Sequence, residues 1–386
     1  MSKILFLTTR DPFSKRFSGD VIRSARIIRL LEQKYKVDVL YLSKENKINN
    51  NRISFKSPNL LLKIFYCIKF LLKLEPIQLG FFYSKELKKH VDLNVKNYDV
   101  IFLYHFRSTP YLPKNFKGKK ILEMGDLYSE NYSQTYKNLS IINPLFYFYF
   151  LESFFLKNYE KKIFNTFDKI ILYSKKEVKT VKPYFKNKII YIPEVVNHIS
   201  EKIKKVKNKF NFSKKNYKII FIGNLSYLPN KLACYDFAYK VLPKILQFNR
   251  GFEFHIIGNL NIIDKFILTR KSNVKAIGQK KKIDKFVKKA ICGISNLKIA
   301  TGVQAKIFTY MTYGLPVISS VKSAKNFEKN VLEYRSNREL IKLIIDLSKS
   351  KTFSLNYSKK SFKFIKNFFW TNIVKNYVNI LKVRIR

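Results

Sequence analysis

Short runs of β-branched and aromatic residues alternate along the chain with stretches whose apolar positions recur every three or four residues. The first pattern predicts buried strands and the second amphipathic helices. "KILFLTT" (3–9), "KVDVLYL" (36–42), "YDVIFLYH" (98–105), "KKILEMGD" (119–126), "FDKIILYS" (167–174) and "KIIYIPE" (188–194) read as strands. "DVIRSARIIRLLEQKY" (20–35), "NLLLKIFYCIKFLLKL" (59–74), an aromatic stretch at 144–164 and "KKEVKTVKPYF" read as helices between them. A charged, core-poor segment, "EKIKKVKNKFNFSKKN" (201–216), then marks a linker.

Beyond it the alternation starts afresh, with strands at 217–224, 252–259, 274–278 and 292–297 and helices at 231–248 and 283–290. The tail has helical aromatic spacing at Phe362, Phe364, Phe368, Phe369 and Trp370, with Tyr377 further on. Strand–helix alternation on both sides of a linker predicts an α/β protein of two Rossmann-like, doubly wound domains, 1–200 and 217–360. Ligands of such sheets sit outside the carboxyl ends of the strands, so two facing domains would enclose a cleft.

The length of 386 residues suits two domains with proper cores. At 46% hydrophobic residues the chain is no disordered tail. Cys67, Cys234 and Cys292 are too scattered for a disulfide framework or a zinc ribbon and read as small apolar side chains of a reducing compartment. The N-terminus reads as a first strand rather than a signal peptide. No run reaches about 18 apolar residues, and the nearest, "NPLFYFYFLESFFL" (143–156), is interrupted by Glu152, so no transmembrane span is expected. Charge changes the picture most: 76 Lys and Arg against 26 Asp and Glu give a net +50. Lysine abundance along the whole chain accounts for much of it, yet charge of any origin attracts anionic lipid. Nucleic acid is a poor partner, because zinc-finger, helix-turn-helix and RNP signatures are all missing.

Candidate chemistry concentrates at "TGVQAKIFTYMTYGLPVISS" (301–320), a loop, a helix and a strand. Backbone N–H groups from Gly302 to Ala305 would form the first turn of the helix, where anions bind. Gly302 clears space for a phosphate, Lys306 adds a cation, and Thr309 lies three residues on. Gly314 fits a C-cap, with Pro316 stopping the helix. An ordinary βα helix start is the plain alternative. Neither a Walker A loop nor a three-glycine dinucleotide fingerprint is present.

In order along the chain, "SGDVIRSARIIRLLEQKYKVDVLYL" (18–42), "YEKKIFNTFDKIILYSKKE" (159–177), "IPEVVN" (192–197), "FIGNLSYLPNKLACYDFAYKVLPKI" (221–245), "FHIIGN" (254–259) and "GVQAKIFTYMTYGLPVISS" (302–320) resemble the family-four retaining glycosyltransferases of the two-Rossmann-domain (GT-B) type. Within them the chain is similar to a subgroup linked to exopolysaccharide sugar transferases. The resemblance implies an acceptor-side N-domain, a donor-side C-domain and a C-terminal helix, 361–386, returning to the N-domain. It implies a nucleotide-diphosphate sugar as donor, no protein-bound metal, and a glycan or polyprenyl-linked acceptor. It implies work at the cytoplasmic face of the inner membrane as a peripheral protein, with retention of anomeric configuration. The donor site it implies comprises Gly302, Val303, Gln304 and Lys306, with Asn224 and Lys231 at the preceding βα turn. The family's two glutamates fall on Thr301 and Thr309, and its Asn-Gly on Glu194-Val195. Those departures leave open an altered relative that serves as partner subunit of a glycan-assembly complex.

On the N-domain side Gly19 and Asp20 open the first helix, Asp20 as an N-cap, and Arg23 lies one turn in as an acceptor or phosphate contact. His105 and Asp126 end predicted strands, where cleft residues belong, and Asp126 is the leading carboxylate. The histidines have no metal-ligand spacing. On the 59–74 helix Lys63, Lys69 and Lys73 fall on one stripe with apolar flanks. That stripe is either a solvated face or a contact with an anionic membrane.

Overall fold

The computed structural model describes residues 2–14, 19–194, 196, 217–280, 282–287, 290–300 and 302–381. The linker expected at 201–216 and Thr301 lie outside the described residues. The chain divides into two compact units, Met1–Pro193 with Ile373–Arg386, and Glu194–Asn372.

The first unit is built on β1 (Lys3–Thr8), β2 (Lys36–Ser43), β3 (Lys47–Asn49), β4 (Arg52–Lys56), β5 (Val100–Tyr104), β6 (Lys119–Gly125), β7 (Lys169–Leu172) and β8 (Ile189–Tyr191). Their order in the sheet is β3-β4-β2-β1-β5-β6-β7-β8. All pairs are parallel except β3 with β4. Parallel strands are covered on both faces, so their sequences read as continuous apolar runs, and every residue of β5 is buried. The order reverses between β1 and β5, which makes their carboxyl ends the switch point of this sheet.

The hairpin β3–β4 went unread in the sequence, because its strands are short and polar. An Asn50-Asn51 turn joins them, with Asn50 at φ 49°. Asparagine tolerates that left-handed backbone, and the Asn pair was the signal available. Asp20 is the second residue of helix Gly19–Glu32 rather than its cap, and it pairs with the Arg10 guanidinium. Glu152, which interrupts the apolar run of helix Pro144–Thr166, is fully buried. Its carboxylate accepts from the N–H groups of Ile77 (2.9 Å) and Gln78 (3.2 Å) at the start of helix Ile77–Phe81, and from Gln78 Nε2 (3.0 Å). A carboxylate at a helix N-terminus is a favourable pairing. Among the described residues no helix is long and apolar enough to cross a membrane.

The second unit contains β9 (Tyr217–Ile222), β10 (Phe252–Ile257), β11 (Val274–Gly278), β12 (Ala290–Ser295), β13 (Val317–Ser320) and β14 (Leu332–Tyr334). The order β11-β10-β9-β12-β13-β14 is the 3-2-1-4-5-6 arrangement of a Rossmann sheet, parallel throughout. The helix expected at 231–248 is three pieces: Leu228–Asp236, a π-helical turn at Phe237–Val241, and Leu242–Phe248. Pro243 lacks an N–H, and the wider turn before it absorbs the missing bond. Of the helix expected at 283–290, Asp284–Val287 is helical, 288 and 289 lie outside the described residues, and Ala290 already belongs to β12.

At the switch point of this sheet β9 and β12 pair only as far as Ile220 and Gly293. Tyr310, from helix Ala305–Thr312, spans the opening beyond. Its hydroxyl accepts from Ile222 N–H (2.7 Å) and donates to the Ile294 carbonyl (3.1 Å). Its ring lies flat on Gly293, where a Cβ would come within 2.2 Å of the ring. Gly258, at φ 148°, touches Gly223 so closely that a Cβ would sit 1.8 Å from its carbonyl oxygen. Tyr310→Phe strands two buried backbone groups and is expected to lower stability by about 1–3 kcal/mol. Chemical denaturation of the two proteins checks it; equal midpoints would mean that the hydroxyl is not bridging the strands.

Candidate functional site

Helix Ala305–Thr312 starts just beyond the carboxyl end of β12, as the 301–320 segment predicts. Gln304 is its N-cap residue and makes no side-chain cap hydrogen bond. The first amides of any helix lack an intrahelical acceptor, and this helix starts at the switch point of the sheet. Gly302 adopts φ 60°, and its carbonyl accepts from Asn326 Nδ2 at 2.6 Å. That backbone favours glycine whatever the ligand. Val303 packs at the edge of the core between β12, β13 and the C-terminal helices.

Lys306 differs from the solvated cation that its sequence position suggests. Its side chain is buried, Nζ donates to Asn230 Oδ1 at 2.6 Å, and it lies 3.9 Å from the centre of the Phe221 ring. Burial without a carboxylate partner pushes the ammonium down to about 7. Asn230 in turn donates to the Asn224 carbonyl at 2.9 Å, which ties Lys306 to the turn after β9. Asn224 itself folds over that turn, its Oδ1 accepting from Ser226 N–H at 2.9 Å. Lys231 is committed elsewhere: Nζ pairs with the buried Asp264 carboxylate at 2.7 Å. Thr309 Oγ1 donates to the Ala305 carbonyl at 3.1 Å, a back-bond within its own helix. The structure thus brings Asn224, Lys306 and the 302–305 backbone to one edge and sets Lys231 apart.

In the first unit the candidates gather at the carboxyl ends of β1, β5 and β6. His105, just past β5, adopts φ 72° and ψ 142°, a conformation costly for any residue but glycine. Its Nδ1 accepts from Arg107 N–H at 3.3 Å, which leaves the ring proton on Nε2. Burial, reinforced by Arg107, Arg10 and Arg23, holds the imidazole well below its usual range and so neutral. With Nδ1 occupied, the neutral ring has its one N–H on Nε2. Arg107 Nε donates to Gln78 Oε1 at 2.8 Å, and its guanidinium stacks 4.7 Å from the Phe82 ring. Arg10 pairs with Asp20, the neighbour of Gly19. Arg23 lies 4.2 Å from the centre of the Tyr173 ring. Asp126 is half-buried next to Tyr128, whose ring is 4.6 Å from that of His105.

Beneath this group lies a carboxylate that the sequence reading passed over. Glu123 of β6 is buried, and its Oε1 accepts from the hydroxyls of Tyr173 and Tyr377, the latter at 2.7 Å. Oε2 has no partner among the described residues, and desolvation raises the acid to about 7. Its second tyrosine stands 254 residues away, beyond any local pattern. Among the described residues no group of three or more His, Cys, Asp or Glu could hold a metal ion.

Residues 216–349 match the family model described as "Glycosyl transferases group 1". No curated relative matches the sequence. Among solved structures the chain is similar to the Anabaena protein HepE in complex with UDP and glucose, at 12% identity over 98% of each chain and a TM-score of 0.63. It is similar to WaaG, a glycosyltransferase involved in lipopolysaccharide biosynthesis, at 11% identity over 98% of this chain and 99% of that one, with a TM-score of 0.65. A trehalose-6-phosphate synthase studied for glycosyl transfer with retention aligns over 98% of each chain at 10% identity, with a TM-score of 0.66. Residues 216–349 thus resemble the group 1 glycosyl transferases, and the fold is that of the two-Rossmann-domain, GT-B, proteins.

The buried lysine sets a pH dependence with a definite sign. Its folded value, about 7, lies below the usual 10.5. The folded state therefore binds fewer protons than the unfolded one between those values, so stability rises with pH across that window. Stability due to Lys306 is complete above about 10.5 and is lost as pH falls through about 7. Lys306→Met should flatten the rise, as read from denaturation midpoints at pH 7 to 10; an unchanged slope would mean that the ammonium is solvated.

Proposed function

We propose that the protein is a retaining glycosyltransferase that moves a hexosyl group from a nucleotide-diphosphate sugar to a glycan or polyprenyl-linked acceptor in cell-surface polysaccharide biosynthesis. The observation that carries the reading is the helix start at Gly302–Lys306, at the switch point of a sheet that matches a glycosyltransferase family model. The leaving diphosphate needs electrostatic stabilisation, which first-turn amides and a lysine supply. Lys306 suits that task because an arriving diphosphate would draw the ammonium back to its charged form. On this reading the donor's own phosphate assists the incoming hydroxyl, so no carboxylate is required at 301–309. His105, Arg23 and Asp126 would serve the acceptor and the donor sugar from the first unit, with the Nε2 proton of His105 available to a sugar oxygen. The protein would work at the cytoplasmic face of the inner membrane.

One observation favours a second reading, an altered relative acting as partner subunit. Thr309 stands where the resembling family has a ribose-binding glutamate, and its hydroxyl is spent on the helix backbone. Calorimetric titration with a panel of nucleotide-diphosphate sugars, followed by product analysis with those that bind, separates the two. The transferase reading expects binding, and proton uptake on binding at about pH 8, seen as a buffer-dependent enthalpy that Lys306→Met abolishes. Lys306→Ala should weaken nucleotide-diphosphate binding roughly ten- to hundredfold, the scale of a charged hydrogen bond. Thr309→Glu should tighten it if the ribose is held there. Gly302→Val would fail through its φ of 60° alone and tests nothing about phosphate. Absence of binding across the panel would favour the partner subunit.

A further inference from the structure

Helix Leu60–Leu71 is apolar nearly all round, yet Tyr66 is its one buried residue. Leu61 is 77% exposed, Phe65 58% and Ile68 51%, and Leu72 and Leu74 just beyond are 80% and 69% exposed. Helix Pro144–Thr166 exposes a second such face, with Ile142 before it at 93% and Phe154 at 59%. Both flank helix Ile77–Phe81: Gly80 lies against the Tyr66 backbone, and Glu152 caps the other end. Apolar surface this extensive calls for a cover.

Beside these faces lies a cavity of about 340 Å³. Lys69, Lys73, Lys114, Lys120 and Lys162 line it, against one carboxylate, Glu75. Lys162 holds that carboxylate at 2.6 Å, and the other four ammonium groups have no ion pair among the described residues. Lys63, expected on the same stripe, instead lies over the Phe81 ring at 4.7 Å. Lys120 is the second residue of β6, and Thr166 and Phe167 precede β7, so the cavity sits at the amino ends of these strands. The arginine group around His105 occupies the carboxyl ends, and a ligand here leaves that edge uncovered.

We propose that this cavity is a socket for the phosphate headgroup of an anionic bilayer lipid, whose acyl region receives the exposed faces of helices Leu60–Leu71 and Pro144–Thr166. The socket is the part of the surface that discriminates between lipids: lysines around an apolar-walled cavity attract a phosphate, and the flanking leucines and phenylalanines enter the interface. Its net +50 draws the whole chain toward any anionic bilayer, which the socket then grips locally. The inference stands apart from sugar transfer, since it uses none of the donor-site residues.

Co-sedimentation with vesicles of phosphatidylglycerol in phosphatidylcholine, against phosphatidylcholine alone, tests it. Binding should require the anionic lipid and fall with salt. Lys69, Lys73, Lys114 and Lys120 changed together to Gln should weaken it roughly tenfold or more. The same number of changes at Lys176, Lys179, Lys182 and Lys186, exposed on helix Lys175–Phe185 and its C-cap, should cost far less. Leu61→Ser with Phe154→Ser should weaken binding to both charge variants and wild type. Equal losses for the two lysine sets would return the attraction to bulk charge and overturn the socket. Full protection of the cavity lysines by inorganic phosphate without vesicles would make it a free-anion site and also overturn it. A lipid-free dimer that Leu61→Ser and Phe154→Ser dissolve would assign the apolar faces to a second copy instead. Each lysine variant is read as folded protein by its denaturation midpoint, and Lys69→Gln with Lys73→Gln serves where the fourfold change unfolds the chain, wild-type vesicle binding by that pair overturning the socket.

Discussion

A parallel sheet that reverses its strand order must come apart at the reversal, and the backbone groups freed there need partners. In the second unit the Tyr310 hydroxyl provides both, taking Ile222 N–H and giving to the Ile294 carbonyl. One side chain therefore fixes three things. It holds the opening at a set width, it pins helix Ala305–Thr312 across it, and it aims the helix start at the gap. Gly293 is a glycine because the tyrosine ring occupies the place of its side chain. The donor-side geometry, with Lys306 turned inward onto Asn230 and Phe221, follows from the angle at which that helix is held.

The first unit gathers charge at its own switch point instead. Arg10, Arg23 and Arg107 converge near His105, and the aromatic rings of Phe82, Tyr173 and Tyr128 hold two of the guanidiniums and the imidazole in place. Rings fix a guanidinium without neutralising it, unlike a carboxylate partner.

What was legible in the sequence was what local chemistry dictates. Buried parallel strands advertise themselves as apolar runs, and the 301–320 segment showed its loop, helix and strand directly. The polar hairpin β3–β4 offered only an Asn-Asn turn. Lys306 looked like every other lysine, because a buried lysine differs from an exposed one only in what lies around it, and Asn230 and Phe221 are far off in the chain. Lys231 matched a cation position by spacing, while Asp264, which claims it, belongs to the next βα unit. Glu123 read as an ordinary strand residue, since nothing local marks a carboxylate that will be covered from the far end of the chain. The left-handed backbone of His105 has no sequence signature at all.

That last covering has a consequence for how the chain is made. Glu123 is held by Tyr377, and the final helix from Ile373 belongs to the first unit. At roughly 5–20 residues per second, the 254 residues between them take about 13–50 s to synthesise. During that time the first unit waits on the ribosome with its carboxylate not yet held by Tyr377, while every strand of the second unit is made. The earlier half of the chain is thus the later to be completed, and its last stitch is sewn by residues that emerge only after the second unit's sheet.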